Sequence, residues 1–223
     1  VQAFCKCSSL ISITLPESVT EIGDRAFYGC SSLTSITIPE GVTSIGENTF
    51  SFCGSLTSIT IPEGVTSIGP NAFSYCGSLT SVTIPSGVTT IGDWAFDSCD
   101  SLTSITIPNS VTKIGSDAFW GCSSLTSITC KNTTPPILIE YEGENYTFFY
   151  VDKSIPLYVP AESVEVYNNT KYWKEFTNIQ AIPSSSVANA KAETQDSVRK
   201  EYRDGQVLII KGDKTYTMFG KEN

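Results

Sequence analysis

A period of 23 residues runs through the first 130 residues of this chain and limits what it can fold into. Leu10, Leu33, Leu56, Leu79, Leu102 and Leu125 keep it, as do Pro16, Pro39, Pro62, Pro85 and Pro108. Gly23, Gly46, Gly69, Gly92 and Gly115 follow the same step, and so do Phe4, Phe27, Phe50, Phe73, Phe96 and Phe119. Self-similarity at a fixed period marks units that cannot bury an apolar face alone and do so by stacking on their neighbours. An ordinary antiparallel sandwich places no such demand on spacing.

One unit, residues 33–55, reads LTSITIPEGVTSIGENTFSFCGS. In its first part Leu33, Ile36 and Ile38 point inward and Thr34, Ser35 and Thr37 face water, the alternation of an extended strand built from β-branched residues. Pro39 has no N–H for a sheet ladder and ends the run. Val42 and Ile45 start a second inward segment, Gly46 makes a tight corner, and Phe50 fills the wide end of the coil. The expected object is a right-handed solenoid of about six coils with one short parallel strand per coil. At about 4.8 Å between strands its spine is roughly 25–30 Å long.

The L-T-S-I-T-I-P core, the V-T-x-I-G turn and the A-F-x-x-C segment (Ala26-Phe27-Tyr28-Gly29-Cys30) resemble the leucine-rich repeats of the BspA-like class, found in many bacterial surface proteins and some protist ones. The resemblance covers residues 1–130. It implies a leucine-rich repeat solenoid, and in function a broad class of adhesins and binding scaffolds with varied partners.

Six of the eight cysteines form one column: Cys7, Cys30, Cys53, Cys76, Cys99 and Cys122. Zinc sites and disulfide-rich scaffolds cluster cysteines in short spacings, whereas here only Cys5 and Cys7 are close. The column reads as small buried thiols filling one corner of each coil. Neighbouring rungs lie within disulfide range, but parallel side chains oppose the bond geometry. Cys130 replaces a strand isoleucine such as Ile107 and reads as core.

The outward positions form the candidate site. Ser12, Ser35, Ser58, Ser81, Ser104 and Ser127 make one column, and Thr14, Thr37, Thr60, Thr83, Thr106 and Thr129 another. Flanked by Thr34, Thr57, Thr80, Thr103 and Thr126, they make a flat strip of small hydroxyls that offers repeated donors and acceptors. Ser35, Thr37, Ser58, Thr60, Ser81, Thr83, Ser104 and Thr106 are the candidate binding face. Soluble residues of good strand propensity, copied with the repeat, account for the same pattern. A regular threonine array is also a feature of ice-binding solenoids, but the unit matches the leucine-rich class better. Aromatic rings are scarce on this strip; Tyr28, Phe52, Tyr75 and Trp120 lie near the cysteine column, where they either cover the core or meet a ligand.

Other chemistries find little support. The chain has no histidine, which removes the usual neutral-pH base, the commonest metal ligand and the middle member of a nucleophilic triad. Asp24, Glu47 and Asp93 share a column that Pro70 interrupts, without the spacing of a calcium loop. No G-x-x-x-x-G-K cradle is present, and no carboxylate pair is placed for glycoside hydrolysis. The formal charge is −9; residues 1–130 carry ten acidic and three basic side chains, which argues against a nucleic-acid partner. No catalytic residue, cofactor site or metal site is assigned. No apolar run approaches the roughly 18–20 residues of a membrane span. The chain starts within a running pattern, so any signal peptide or lipid attachment upstream has been removed, and its absence says nothing about export.

After Cys130 the period fades at Thr133-Thr134-Pro135-Pro136, and residues 131–182 read as a terminal cap. Pro156-Leu157-Tyr158-Val159-Pro160 is its last strand, and residues 161–176 carry an imperfect helical stripe of Val164, Tyr167, Trp173 and Phe176. The LYVP and W-x-x-F pattern resembles the cap on the same repeat class in gut Bacteroidales proteins, which implies that Trp173 and Phe176 are cap core. Residues 183–200 look like a polar linker and 201–223 like a hairpin, with strands at Val207–Ile210 and Thr215–Phe219 around a Gly212-Asp213 turn. Arg203-Asp204-Gly205 and the Gly212-Asp213-Lys214-Thr215-Tyr216 hairpin resemble a short C-terminal sorting module of the type 9 secretion route of Bacteroidetes. The N-x-[ST] frames at Asn132, Asn145 and Asn168 are chance matches in a bacterial protein. The functional expectation is an extracellular or cell-surface scaffold that binds a host or bacterial surface protein or glycan; the alternative is a structural spacer or surface-layer element without a dedicated ligand.

Overall fold

The computed structural model describes residues 2–183, 198–203, 206–211 and 214–217. They belong to two units, residues 1–182 and 183–223.

In the first unit every coil has three sides. One side is a row of short parallel strands: β1 (Ser12–Thr14), then β2 (Ser35–Thr37), and further along the row β4 (Ser58–Thr60), β6 (Ser81–Thr83), β8 (Ser104–Ile107) and β10 (Ser127–Cys130). The register sets Ser12 on Ser35, Ile13 on Ile36 and Thr14 on Thr37, so each residue lies on its own counterpart one repeat away. Equal spacing is what makes that register possible, because a slip by one residue would turn the isoleucines out to water.

A second side carries two-residue strands, β3 (Ser44–Ile45), β5 (Ser67–Ile68), β7 (Thr90–Ile91) and β9 (Lys113–Ile114), also parallel. Each coil from the one containing β2 onward therefore has two strands, where the sequence suggests one. The V-T-x-I step is too short to show an alternation; it becomes a strand only because the next coil supplies the partner, as when Thr66 N–H donates to Thr43 O at 3.0 Å.

The third side consists of tight turns. Ala26 N–H closes on Gly23 O at 3.1 Å and Tyr28 N–H on Arg25 O at 3.2 Å. The intervening donors reach the next coil instead: Arg25 N–H to Glu47 O at 2.9 Å, Phe27 N–H to Thr49 O at 2.9 Å, and Gly29 N–H to Ser51 O at 2.8 Å. Turning alternate N–H groups outward requires left-handed backbone, with φ of 57° at Arg25 and 72° at Gly29. The recurring glycines have a different cause from the corner expected of them. A Cβ on Gly92 would lie 2.5 Å from Pro70 N and 2.6 Å from Gly69 C, so the column is glycine because successive coils touch there.

The core is a set of columns. Phe4, Phe27, Phe50, Phe73, Phe96, Phe119 and Phe148 stack ring on ring with centroids 5.2–5.5 Å apart. Phe148 stands 29 residues after Phe119 rather than 23, which hides a seventh coil from the periodicity. β11 (Ile137–Leu138) pairs with β9, and β12 (Leu157–Val159) pairs with β10, so coil structure continues well past Cys130. The surplus residues project around Tyr141 and Glu144, which pair with each other. Inward residues and ring stacking preserve the coil although the spacing is lost.

Beyond it, α1 (Val164–Asn169) and two short 3₁₀ turns close the end of the core with Tyr167, Trp173 and Phe176, all buried. Trp173 Nε1–H donates to Pro136 O at 2.9 Å, and the Tyr167 hydroxyl lies 3.1 Å from both Asn132 O and Cys130 Sγ. The helix is one turn and a half, shorter than the stripe over 161–176 suggests. β12 is not the last strand: β13 (Ile179–Ala181) pairs with it in parallel.

In the second unit β14 (Val198–Arg203), β15 (Gln206–Lys211) and β16 (Lys214–Thr217) form an antiparallel sheet, with Arg203 opposite Gln206 and Lys211 opposite Lys214. It has three strands where the sequence suggests two, and β14 begins inside the stretch read as linker up to Lys200. That strand is mostly charged, and only its pairing with β15 reveals it. The linker over 184–197, Asp204-Gly205 and the Gly212-Asp213 turn lie outside the described residues. Among the described residues no helix is long and apolar enough to cross a membrane.

Candidate functional site

The strands of the first side present serine and threonine alternately with a buried isoleucine or valine, so hydroxyls line up along the solenoid. Ser35, Thr37, Ser58, Thr60, Ser81, Thr83, Ser104 and Thr106 are all exposed and share this side. Thr37 is in register with Thr60, Thr60 with Thr83, and Thr106 with Thr129. Ser127 and Thr129 are more covered, next to the cap.

The flanking threonines differ. Thr34 Oγ1 donates to Ile11 O at 3.2 Å, Thr80 Oγ1 to Thr57 O at 3.2 Å, and Thr126 Oγ1 to Thr103 O at 3.0 Å. Their hydroxyls are spent on joining coils. Among the described residues no hydroxyl of the Ser35 or Thr37 columns makes such a bond, which leaves two parallel rows of small groups that hydrogen-bond to solvent or to whatever displaces it.

Two members of the acidic column, Asp24 and Asp93, act as backbone caps. Asp24 Oδ1 accepts from Glu47 N–H at 2.8 Å, and Asp93 Oδ1 accepts from Ser116 N–H at 2.8 Å. Asp97 is buried, accepting from Ser74 Oγ at 3.0 Å and Ser98 Oγ at 2.9 Å, and its burial raises the carboxyl above the usual range.

The cysteine column has a hydrogen-bonding role. Cys53 Sγ donates to Phe27 O at 3.2 Å, and Cys76, Cys99 and Cys122 repeat the contact one coil further each time. From Phe4 to Phe96 each phenylalanine carbonyl of the column thus takes the N–H of its own coil's cysteine and the thiol of the next. Burial pushes the thiols up, to about 12 at Cys53 and Cys122 and to about 11 at Cys130. Such thiols are poor nucleophiles and poor metal ligands. Cys7, expected to belong to the buried column, is exposed, and Cys5 is half-covered.

The aromatic residues near the cysteines resolve into two kinds. Tyr28 and Trp120 are partly covered, while Phe52 and Tyr75 are 43 % and 47 % exposed and stack at 4.6 Å. Trp94, Phe149 and Tyr150, which sequence reasoning passed over, are also exposed on the turn side. A signal for Trp94 was present: the same position is Asn48 and Asn71 in the two preceding coils, so a large ring there departs from the pattern.

Against known proteins, residues 1–126 match the BspA-type leucine-rich repeat region in six copies. The chain belongs to the BspA-type leucine-rich repeat family. A leucine-rich repeat protein of T. pallidum shares 28 % identity with it, over 83 % of this chain and 85 % of that one, with a TM-score of 0.53. The pneumococcal vaccine antigen PcpA shares 22 % identity over 78 % of this chain and 42 % of its own, with a TM-score of 0.60, a likeness of fold. A search of curated proteins gives no match. The BspA-type solenoid is characteristically a scaffold for binding rather than a catalyst.

Proposed function

We propose that this chain is an extracellular, adhesin-like binding scaffold that engages a surface protein or glycan of a host or another bacterium through its hydroxyl strip. The observation that carries this reading is the division of labour among the threonines. Flanking ones bond coil to coil, whereas the Ser35 and Thr37 columns are exposed and uncommitted over successive coils. A strip of short side chains costs little to order, since serine and threonine lose little rotamer freedom, and it presents donors and acceptors at the regular coil spacing. The acidic balance of residues 1–130 disfavours a nucleic-acid partner. We read the sheet of β14–β16 as a small export or attachment module like the type 9 sorting domains of Bacteroidetes.

The test is binding of the full chain and of Thr60→Arg to a panel of matrix proteins, mucins and polysaccharides. Thr60 is exposed, so the arginine should change stability by less than about 0.5 kcal/mol. A saturable interaction that Thr60→Arg weakens supports the strip. Equal affinity of both proteins refutes it, and silence across the panel favours the spacer role.

A further inference from the structure

The turn side carries a second feature, independent of the hydroxyl strip. Between residues 23 and 130 the exposed large hydrophobic residues are Phe52, Tyr75 and Trp94: all are aromatic, and all lie on this side. None is needed by the core, since the inner phenylalanine column beneath them is unbroken. None suits its backbone either. Phe52, Tyr75, Trp94 and Tyr150 sit at φ of 61°, 59°, 58° and 64°, in the left-handed region that bulky residues rarely occupy. Other coils place Gly29, Ser98 and Gly121, or Asn48 and Asn71, at the equivalent points. A large ring at such a position costs backbone energy and exposes apolar surface, penalties that contacts between the rings offset only in part.

The rings form two groups along the axis. Tyr28, Phe52 and Tyr75 contact one another in sequence, at 5.4 Å and 4.6 Å. Trp94, Trp120 and Tyr150 follow, at 6.5 Å and 5.1 Å, and Tyr150 meets Phe149 at 4.5 Å. Where the column passes from Tyr75 to Tyr150 it holds only Ser98 and Gly121, with the Ser98 hydroxyl on the Asp97 carboxylate.

We propose that this aromatic band is a binding site for a neutral polysaccharide. Ring faces attract the partly positive C–H groups of a pyranose, while carboxylates, amides and hydroxyls between the rings take its hydroxyls. The composition of the band favours sugar over protein, because between residues 23 and 130 no exposed aliphatic residue joins the rings to make an apolar interface core. Charge selects a neutral polymer. Asp93, Asp97, Asp100 and Asp117 stand near the rings and outnumber the cations beside Tyr28, which are Arg25, held by Glu47 at 3.3 Å, and Lys6, whose backbone N–H donates to Tyr28 O at 2.6 Å. Sulfated or uronic chains would meet repulsion.

The test replaces rings by residues that other coils use: Phe52→Gly, Tyr75→Ser, Trp94→Asn and Tyr150→Gly, singly and together, in the full chain. Mobility is measured in native gels containing hydroxyethylcellulose, galactomannan or soluble starch, with heparin as the anionic comparison, and Tm is measured in parallel. The expected result is retardation of the parent by at least one neutral polymer, and at least tenfold weaker binding in the fourfold variant with Tm equal or higher. The proposal is overturned by no retardation of the parent by any neutral polymer, unaltered binding in the fourfold variant, stronger retardation by heparin, or a fall in Tm showing that the rings serve stability. Self-association of the parent that the fourfold variant abolishes also overturns it, by making the band a contact between copies of this chain.

Discussion

Removing one ring from the middle of the phenylalanine column tests whether the solenoid is held together by stacking. Phe73 is fully buried, with Phe50 and Phe96 at 5.5 Å and 5.2 Å on either side. In Phe73→Ala, transfer of a fully buried phenyl accounts for about 1.5–3 kcal/mol. Loss of two ring pairs adds about 0.5–1.5 kcal/mol each. The void cannot collapse, because the backbone above and below is fixed by Phe50 N–H to Ala72 O and Phe73 N–H to Ala95 O, both at 2.8 Å. The expected loss is about 3–5 kcal/mol, as for other buried aromatic truncations. Phe4 has one ring partner and is only partly covered, so Phe4→Ala should cost less than half as much. Urea unfolding followed by tryptophan fluorescence reads both variants. A loss under about 1.5 kcal/mol at Phe73, or equal losses at both positions, would refute the reasoning.

Thiol chemistry and pH provide two more tests. Of the eight cysteines only Cys5 and Cys7 are accessible, so a thiol reagent at about pH 8 should label two sites on the native protein and the rest only in denaturant. More than two fast sites would contradict the buried ladder. The raised thiol values also mean that the native state holds those protons more tightly than the unfolded chain does, so stability should fall as pH rises from 9.0 towards about 12. Asp97 behaves likewise at acid pH: its raised carboxyl favours the protonated native form, and that contribution is lost as pH climbs from the unfolded value through the raised native one. Asp97→Ser installs the residue found at the same point as Ser51 and Ser74, so its Tm relative to the parent should increase between about pH 4 and pH 7. Parallel pH profiles would remove Asp97 from the account.

The fold was legible wherever a residue's role repeats. Leu33, Ile36, Val42, Ile45 and Phe50 recur at one spacing, and parallel in-register stacking is the arrangement that buries all of them. The hydroxyl columns were legible for the same reason, since Ser35 and Thr37 alternate with Ile36 and must face away from it. What escaped were features with too few residues to show a pattern. The two-residue strands at Ser44–Ile45 and its counterparts exist through their partners, and the seventh coil is masked by the longer step from Phe119 to Phe148. β14 is charged along most of its length and acquires strand structure by pairing with β15.

By itself the sequence determined a stacked repeat with its inner and outer residues, because a strict period leaves one register that keeps apolar side chains dry. The tertiary structure decided how the outward residues are spent. Hydrogen bonds between coils commit the Thr34 column and leave the Thr37 column open, the buried thiols serve the carbonyls of the preceding coil, and glycine is required where backbones touch. The left-handed turns on the third side likewise arise only when the neighbouring coil accepts alternate N–H groups, and it is those turns that lift Phe52, Tyr75 and Trp94 out of the core and into solvent.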